Sequence, residues 1–271
     1  MKNFVRKTIN RFGYDIVRYA DPRKRNLNLD ENLGLDMEAE ATEAIRIVKD
    51  NTMLSKRRLV TLYQQVAYCE RSGLSGAFVE CGVWKGGAVG LMALANLKHG
   101  AVRRHIHLFD AFQDICEPDE AKDGERAVRE VRLFTGSRSP KGCLQPLEGF
   151  YDQWGGYGSL EENQKLLEER IDYERDRLHY HVGWFQDTVP VVHDSIGDIA
   201  LLRLDGDWYA STKVCLDHLY DHVVPGGIII LDDYGTYEGC RKAVHEFLDG
   251  RGLLPYLCHV DSDCRFFFKP A

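Results

Sequence analysis

Two short aliphatic runs end in carboxylates, and this coincidence constrains the fold more than any other feature of the chain. Ile199-Ala200-Leu201-Leu202-Arg203-Leu204 runs into Asp205-Gly206-Asp207, and Gly226-Gly227-Ile228-Ile229-Ile230-Leu231 runs into Asp232-Asp233. Short, nearly continuous apolar runs are the mark of parallel strands buried on both faces. Open sheets of such strands bind ligands beyond their carboxyl ends. Four carboxylates gathered there repel one another unless a cation or a proton relieves them. The pattern predicts a divalent-metal site in a cleft at the carboxyl edge of an α/β sheet.

Other segments extend the alternation. Gly76–Gly82 reads as a strand entering a glycine-rich turn, Ala88–Leu97 as a helix, and His105–Asp110 as a second strand. His179–Phe185 reads as a third strand, Tyr209–His222 as the helix between the two acidic strands, and Glu238–Leu248 as the last helix. Tyr256–Val260 and Cys264–Lys269 flank an Asp-Ser-Asp turn and predict an antiparallel pair. The expected fold is α/β: a Rossmann-like doubly wound sheet, mostly parallel with an antiparallel C-terminal strand pair. That order suits a class I methyltransferase sheet better than a dehydrogenase sheet. Residues 113–160 break the alternation with charges, Gly and Pro, and predict an irregular insertion acting as a lid or substrate loop. The chain thus divides into a helical, basic segment 1–50 and a main domain 51–271 that carries the insertion.

Residues 1–25 carry eight Lys/Arg and two Asp, with apolar Phe4, Val5, Ile9, Phe12, Ile16 and Val17 at roughly helical spacing. Such a segment packs on the domain, on a second subunit in a homodimer or higher homo-oligomer, or on a membrane surface; the last is the least favoured. The formal net charge of -7 argues against nucleic acid as a partner. None of the eight cysteines forms a C-x-x-C pair. Free thiols in a reducing cytoplasm are expected, without zinc.

Glu80-Cys81-Gly82-Val83-Trp84-Lys85-Gly86-Gly87 lies at a strand-to-helix turn, where glycine lets backbone approach a ligand. Its G-x-x-x-G-G spacing lacks the G-x-G-x-x-G of a pyrophosphate loop, which weakens a nicotinamide-dependent oxidoreductase as the alternative. The acid opening the loop suits a cationic ligand such as S-adenosylmethionine. Asp110 closes the second strand, where an acid accepts bonds from ribose hydroxyls. Asp205, Asp207, Asp232 and Asp233 offer hard oxygen ligands for Mg²⁺, with Mn²⁺ also suited. A metal there acidifies a bound hydroxyl, and a carboxylate outside its ligand set takes the proton. His245, on the last helix, reads as structural, and His179 and His181 share one sheet face. Trp154, Tyr157, Trp184 and Tyr209 are candidates to stack on sugar or adenine rings.

Leu202–Tyr209, Pro225-Gly226-Gly227, Asp232-Asp233-Tyr234-Gly235, the Glu80–Gly87 loop, Gly183–Thr188 and Arg241–Phe247 together resemble the macrocin O-methyltransferase (TylF/MycF) family. The resemblance runs from about Thr52 to Phe247. It implies Mg²⁺-dependent transfer of methyl from S-adenosylmethionine to a sugar hydroxyl of a glycoside, nucleotide sugar or surface-glycan precursor. By position it implies Asp205, Asp232 and Asp233 as metal ligands, and Asp207, or Asp205 in part, as general base. Thr52, Met53, Glu80, Cys81, Gly82, Val83, Trp84, Asp110, Ala111, Phe112 and Asp187 would line the cofactor site. A non-catalytic subunit that binds cofactor or glycan is the remaining alternative.

Overall fold

Strands form where the aliphatic runs lie, and a computed structural model describes them within residues 27–136 and 144–271. They are β1 (Ala77–Cys81), β2 (Ile106–Asp110), β3 (Leu178–Val182), β4 (Ile199–Leu204), β5 (Val223–Leu231), β6 (Cys258–His259) and β7 (Arg265–Phe268). The sheet order is β3-β2-β1-β4-β5-β7-β6. The first five strands pair in parallel, and β7 pairs antiparallel with both β5 and β6. This is the doubly wound order expected of the sequence, including the C-terminal hairpin. The basic segment 1–25 lies outside the described residues.

Side-chain alternation along each strand splits the core into two layers. Phe78, Ile106, Leu108, Ile228 and Ile230 pack against α1 (Glu38–Val48), α2 (Lys56–Arg71) and α3 (Gly87–His99). Val79, Leu202, Ile229 and Leu231 face the opposite way, against α6 (Phe185–Ile196), α7 (Tyr209–Leu219) and α8 (Glu238–Gly250). Burial of these aliphatic side chains on both faces is the main stabilising term, at about 25 cal/mol per Å². No described helix is long and apolar enough to cross a membrane.

Two helices depart from the sequence expectation. Residues 113–160 are not irregular throughout: α4 (Glu120–Thr135) occupies their first half. Asp119 caps it by accepting from the Ala121 N–H, Gly124 (φ 81°) kinks it, and Ala127, Val128 and Val131 form its buried stripe. Dense charge and the mid-helix glycine hide that stripe in the sequence. The second case is the end of β3. Gly183 takes φ 142° and donates its N–H to the Asp110 carbonyl, so the strand stops at Val182 and Phe185 begins α6. A short helix, α5 (Leu160–Gln164), continues as a π-helical turn through Lys165–Arg170 and leads to β3.

The register sets up the site. Cys81 is level with Phe109 on one side and Leu204 on the other, and Leu204 is level with Leu231. Four strands therefore end in step, and the next residues across the sheet are Asp110, Gly82, Asp205 and Asp232. Backbone bonds carry the alignment one residue further: Gly82 N–H to the Phe109 carbonyl, Asp205 N–H to Cys81, and Asp232 N–H to Leu204.

Candidate active site

A cleft of about 820 Å³ opens over this carboxyl edge. Asp205, Asp207, Asp232 and Asp233 all line it. Carboxylate oxygens of Asp205, Asp232 and Asp233 lie within 4.8 Å of one another. Two arginines already answer part of this charge. Arg203, buried in β4, places Nη1 2.8 Å from Asp205 Oδ2 and Nη2 2.7 Å from Asp232 Oδ1, and Nη1 also donates to Glu80. Arg58, from α2, reaches Asp232 Oδ2 at 2.6 Å, Asp261 at 2.7 Å and Asp263 at 2.8 Å.

The balance still leaves negative charge over. Among the described residues no Lys or Arg forms an ion pair with Asp207 or Asp233. Burial pushes both carboxyls well above the usual range, reinforced by Asp205 at Asp207 and by Asp207 at Asp233; burial also raises Asp205. Asp232 Oδ1 is buried and makes no hydrogen bond, the Arg203 contact being misaligned for one. A cation held by oxygen donors relieves the remaining repulsion, so the residues present fit a divalent metal.

The adjoining turn is shaped by glycine. Gly82 has φ 92°, and a Cβ there would lie 1.8 Å from the Asp205 carbonyl oxygen. Only glycine lets the β1 turn pass so close to the acidic turn after β4. Asp110 ties the same loop down: Oδ2 accepts from Val83 N–H (2.7 Å) and Trp84 N–H (3.2 Å), and Oδ1 accepts from Phe112 N–H (2.7 Å). Thr52 and Met53 line the cleft beside this turn.

Residues 144–158 close over the turn. Trp84 Nε1 donates to the Gly156 carbonyl (3.2 Å), Lys85 Nζ to Gly155 (2.8 Å), and Asn163 Nδ2 to Trp84 (2.8 Å). Phe134, Phe150, Tyr151 and Trp154 form an edge-to-face aromatic wall lining the cleft, with Phe134 5.5 Å from Phe150 and 5.2 Å from Trp154. Trp154 Nε1 is buried there without a hydrogen-bond partner. The wall presents an apolar aromatic face to the cleft, a surface on which a flat apolar ligand face can stack.

A family profile described as macrocin O-methyltransferase (TylF) matches residues 12–135 and 159–269. The chain belongs to the macrocin O-methyltransferase family. The 8-demethyl-8-(2,3-dimethoxy-alpha-L-rhamnosyl)-tetracenomycin-C 4'-O-methyltransferase of Streptomyces olivaceus is 32% identical over 255 residues, covering 94% of this chain and 82% of its own length. The mycinamicin III 3''-O-methyltransferase of Micromonospora griseorubida is 31% identical over 225 residues, covering 82% and 79%. The solved O-methyltransferase NovP superposes with a TM-score of 0.66 at 30% identity, covering 82% of this chain and 83% of that one. The calicheamicin methyltransferase CalS11, at 18% identity and a TM-score of 0.53, shares the fold. This macrocin-family chain is an O-methyltransferase, and the nicotinamide oxidoreductase alternative is not favoured.

Within this macrocin O-methyltransferase fold the residues named from sequence separate into two groups. Thr52, Met53, Gly82, Trp84, Asp110, Ala111 and the four aspartates line the cleft. Glu80, Cys81, Val83 and Phe112 lie beneath its surface. Glu80 is the buried partner of Arg203, with its carboxyl pushed up by burial to about 8. Cys81 gives its carbonyl to Asp205, while Val83 and Phe112 donate their N–H groups to Asp110. Asp187 is exposed on the first turn of α6, beside the lining residue Gln186. Trp154 and Trp184 line the cleft, whereas Tyr157 and Tyr209 do not. His245 is exposed and bonds the Tyr234 hydroxyl at 2.8 Å. Sequence reasoning missed Arg58, Arg203, Tyr151 and the Asp261/Asp263 turn. Arg203 carries a signal, a lone charge inside an aliphatic strand; the others are brought in only by tertiary packing.

Proposed function

We propose that the protein transfers a methyl group from S-adenosylmethionine to a hydroxyl of a glycosyl group, with Mg²⁺ or Mn²⁺ as cofactor. The carrying observation is the surplus of carboxylate over guanidinium at the sheet edge, next to a glycine turn that admits a ligand. A cleft of this charge suits a sulfonium- and ammonium-bearing cofactor and a divalent cation together. When bound, S-adenosylmethionine supplies the electrophilic methyl and the metal lowers the pKa of the hydroxyl.

The chain's residues do the rest. Asp205, Asp232 and Asp233 hold the metal, and Arg203 and Arg58 fix the Asp205 and Asp232 carboxylates by ion pairs from behind. Asp207, lining the cleft and without an ion pair to Lys or Arg among the described residues, accepts the hydroxyl proton. Its φ of 57° presents the side chain from a turn whose N–H is held by Asp233 Oδ2 at 3.1 Å. The aromatic wall excludes water and seats the sugar; alignment of the two substrates supplies much of the rate. The rhamnosyl group in the name of the tetracenomycin-C relative supports the acceptor class. Buried free thiols at Cys69, Cys81, Cys215, Cys240 and Cys264 support a reducing compartment.

The test is incubation with S-adenosylmethionine, Mg²⁺ and a panel of glycosides and nucleotide sugars, read as a mass gain of one methyl. Asp205→Asn is expected to retain S-adenosylhomocysteine binding and lose metal-dependent turnover. Full activity in EDTA overturns the metal assignment. Cofactor binding without transfer to any sugar favours a non-catalytic subunit.

A further inference from the structure

The edge of the sheet opposite the cleft carries a second cluster of ligating side chains. β4 begins at Ile199, just after α6 ends at Ile196, and β5 begins at Val223, directly after a 3-10 turn over Tyr220–His222. Both strands carry their acidic ends at the far edge, so the residues before them sit across the sheet from the cleft. There His193 and Asp194, in the last turn of α6, meet His222. His193 Nδ1 lies 3.3 Å from His222 Nε2 and 3.3 Å from Asp194 Oδ1, and Asp194 Oδ1 lies 3.7 Å from His222 Nε2.

We propose that His193, Asp194 and His222 form a transition-metal site of the Zn²⁺ class, separate from the cleft. Two imidazole nitrogens and a carboxylate oxygen are a borderline-soft donor set, which suits Zn²⁺ and neighbouring transition metals and not Mg²⁺. The geometry is close to ready. With bonds of about 2.0–2.1 Å, the donor–donor edge of a tetrahedral Zn²⁺ is about 3.3–3.4 Å. Two of the three edges match, and the third closes by rotation of Asp194, whose side chain is 87% exposed. The imidazoles are held more firmly: each is 22% exposed, and the His218 ring sits 4.9 Å from that of His193. A metal ion set between these facing nitrogens would use a lone pair from each. A water completes the fourth position. The ion would clip the end of α6 to the start of β5.

The donor chemistry separates this site from the cleft, so Zn²⁺ is titrated calorimetrically into the full chain in excess Mg²⁺. One equivalent is expected to bind, and the melting temperature is expected to rise with Zn²⁺ because only the folded state holds the site. His193→Ala and His222→Ala should each weaken binding by about tenfold or more and abolish the thermal shift. Circular dichroism checks the fold. His222→Gln and Asp194→Asn, which preserve shape, carry the same expectation should an alanine variant misfold. Zn²⁺ binding by these variants within twofold of wild type, or no binding by wild type in Mg²⁺, overturns the proposal.

Discussion

Arg203 is the residue on which the electrostatics of the cleft depend. Its guanidinium is 2% exposed and meets Glu80, Asp205 and Asp232. Removing one partner from a buried charge network leaves the others uncompensated, at about 3–5 kcal/mol. Arg203→Met is therefore expected to lower unfolding free energy in urea by about that amount, whereas Glu80→Gln, nearly isosteric and uncharged, should cost less than about 2 kcal/mol. A loss from Arg203→Met below about 1 kcal/mol would show that its charge does not hold the network together. Asp207 gives a second expectation. Burial raises its carboxyl well above the ordinary range, chiefly by desolvation and then by Asp205. A base works only when deprotonated, so kcat/KM should fall as pH drops, with an acid limb above the usual carboxylate pKa. Added Mg²⁺ favours the ionised cluster and should move that limb to lower pH. Asp207→Asn should lower turnover by about 10²–10⁴-fold. A pH profile flat into the ordinary carboxylate range would remove Asp207 from the role.

At the scale of elements, residues 144–158, proposed as a lid, are tied to the β1 turn through Trp84 and Lys85. A Cβ on Gly158 would lie 1.8 Å from the Trp84 carbonyl oxygen, so Gly158→Ala must part the lid from the turn. Misplacement by about an ångström costs on the order of 10²-fold in rate. We expect a loss of that order in kcat/KM with little change in melting temperature, and faster amide exchange over residues 144–158. Unchanged exchange would mean that the lid is held elsewhere. The elements also show what the sequence discloses. The aliphatic strands and their acidic ends are legible because burial on both faces leaves no freedom in side-chain type. The hairpin at the C-terminus is legible from its turn. α4 is obscured by Gly124 and by charge on every exposed turn; α6 is obscured by Pro190 inside it and by a strand reading carried past Gly183. The carboxylates of the site are legible from strand ends, but Arg58 and Tyr151 reach it from elements remote in sequence, and only packing brings them there.

At the scale of the whole molecule, acid should loosen the outer side of the sheet. His107 and His181 face each other across β2 and β3, with Nδ1 to Nε2 at 3.0 Å, and His181 stacks on Phe109 at 4.2 Å. Burial, reinforced by neighbouring imidazoles, holds His107 down to about 3 and His181 to about 4. Their pKa values are lower folded than unfolded, so the unfolded chain takes up protons first. Their contribution is complete above about pH 6.5 and declines as pH falls toward those lowered values. These two imidazoles lower the melting temperature between pH 7 and pH 5, against the raised cleft carboxyls, which act in the opposite sense; His107→Gln should remove the imidazole share, making the melting temperature fall less, or rise more, over that range. An unaltered slope in that variant would place the acid sensitivity elsewhere.

The stretch outside the family match, 136–158, includes Phe150, Tyr151 and Trp154 of the aromatic wall and none of the four carboxylates. On the proposed function, most of the acceptor-facing wall and the carboxylates of the reaction would lie in different parts of the chain. The ceiling of the cleft can be rewritten, by insertion or exchange of a surface segment, while the strands that carry the carboxylates stay fixed. Descent with altered acceptor preference then requires no rebuilding of the transfer machinery, and grafting this stretch between relatives becomes a direct route to redirecting which sugar is methylated.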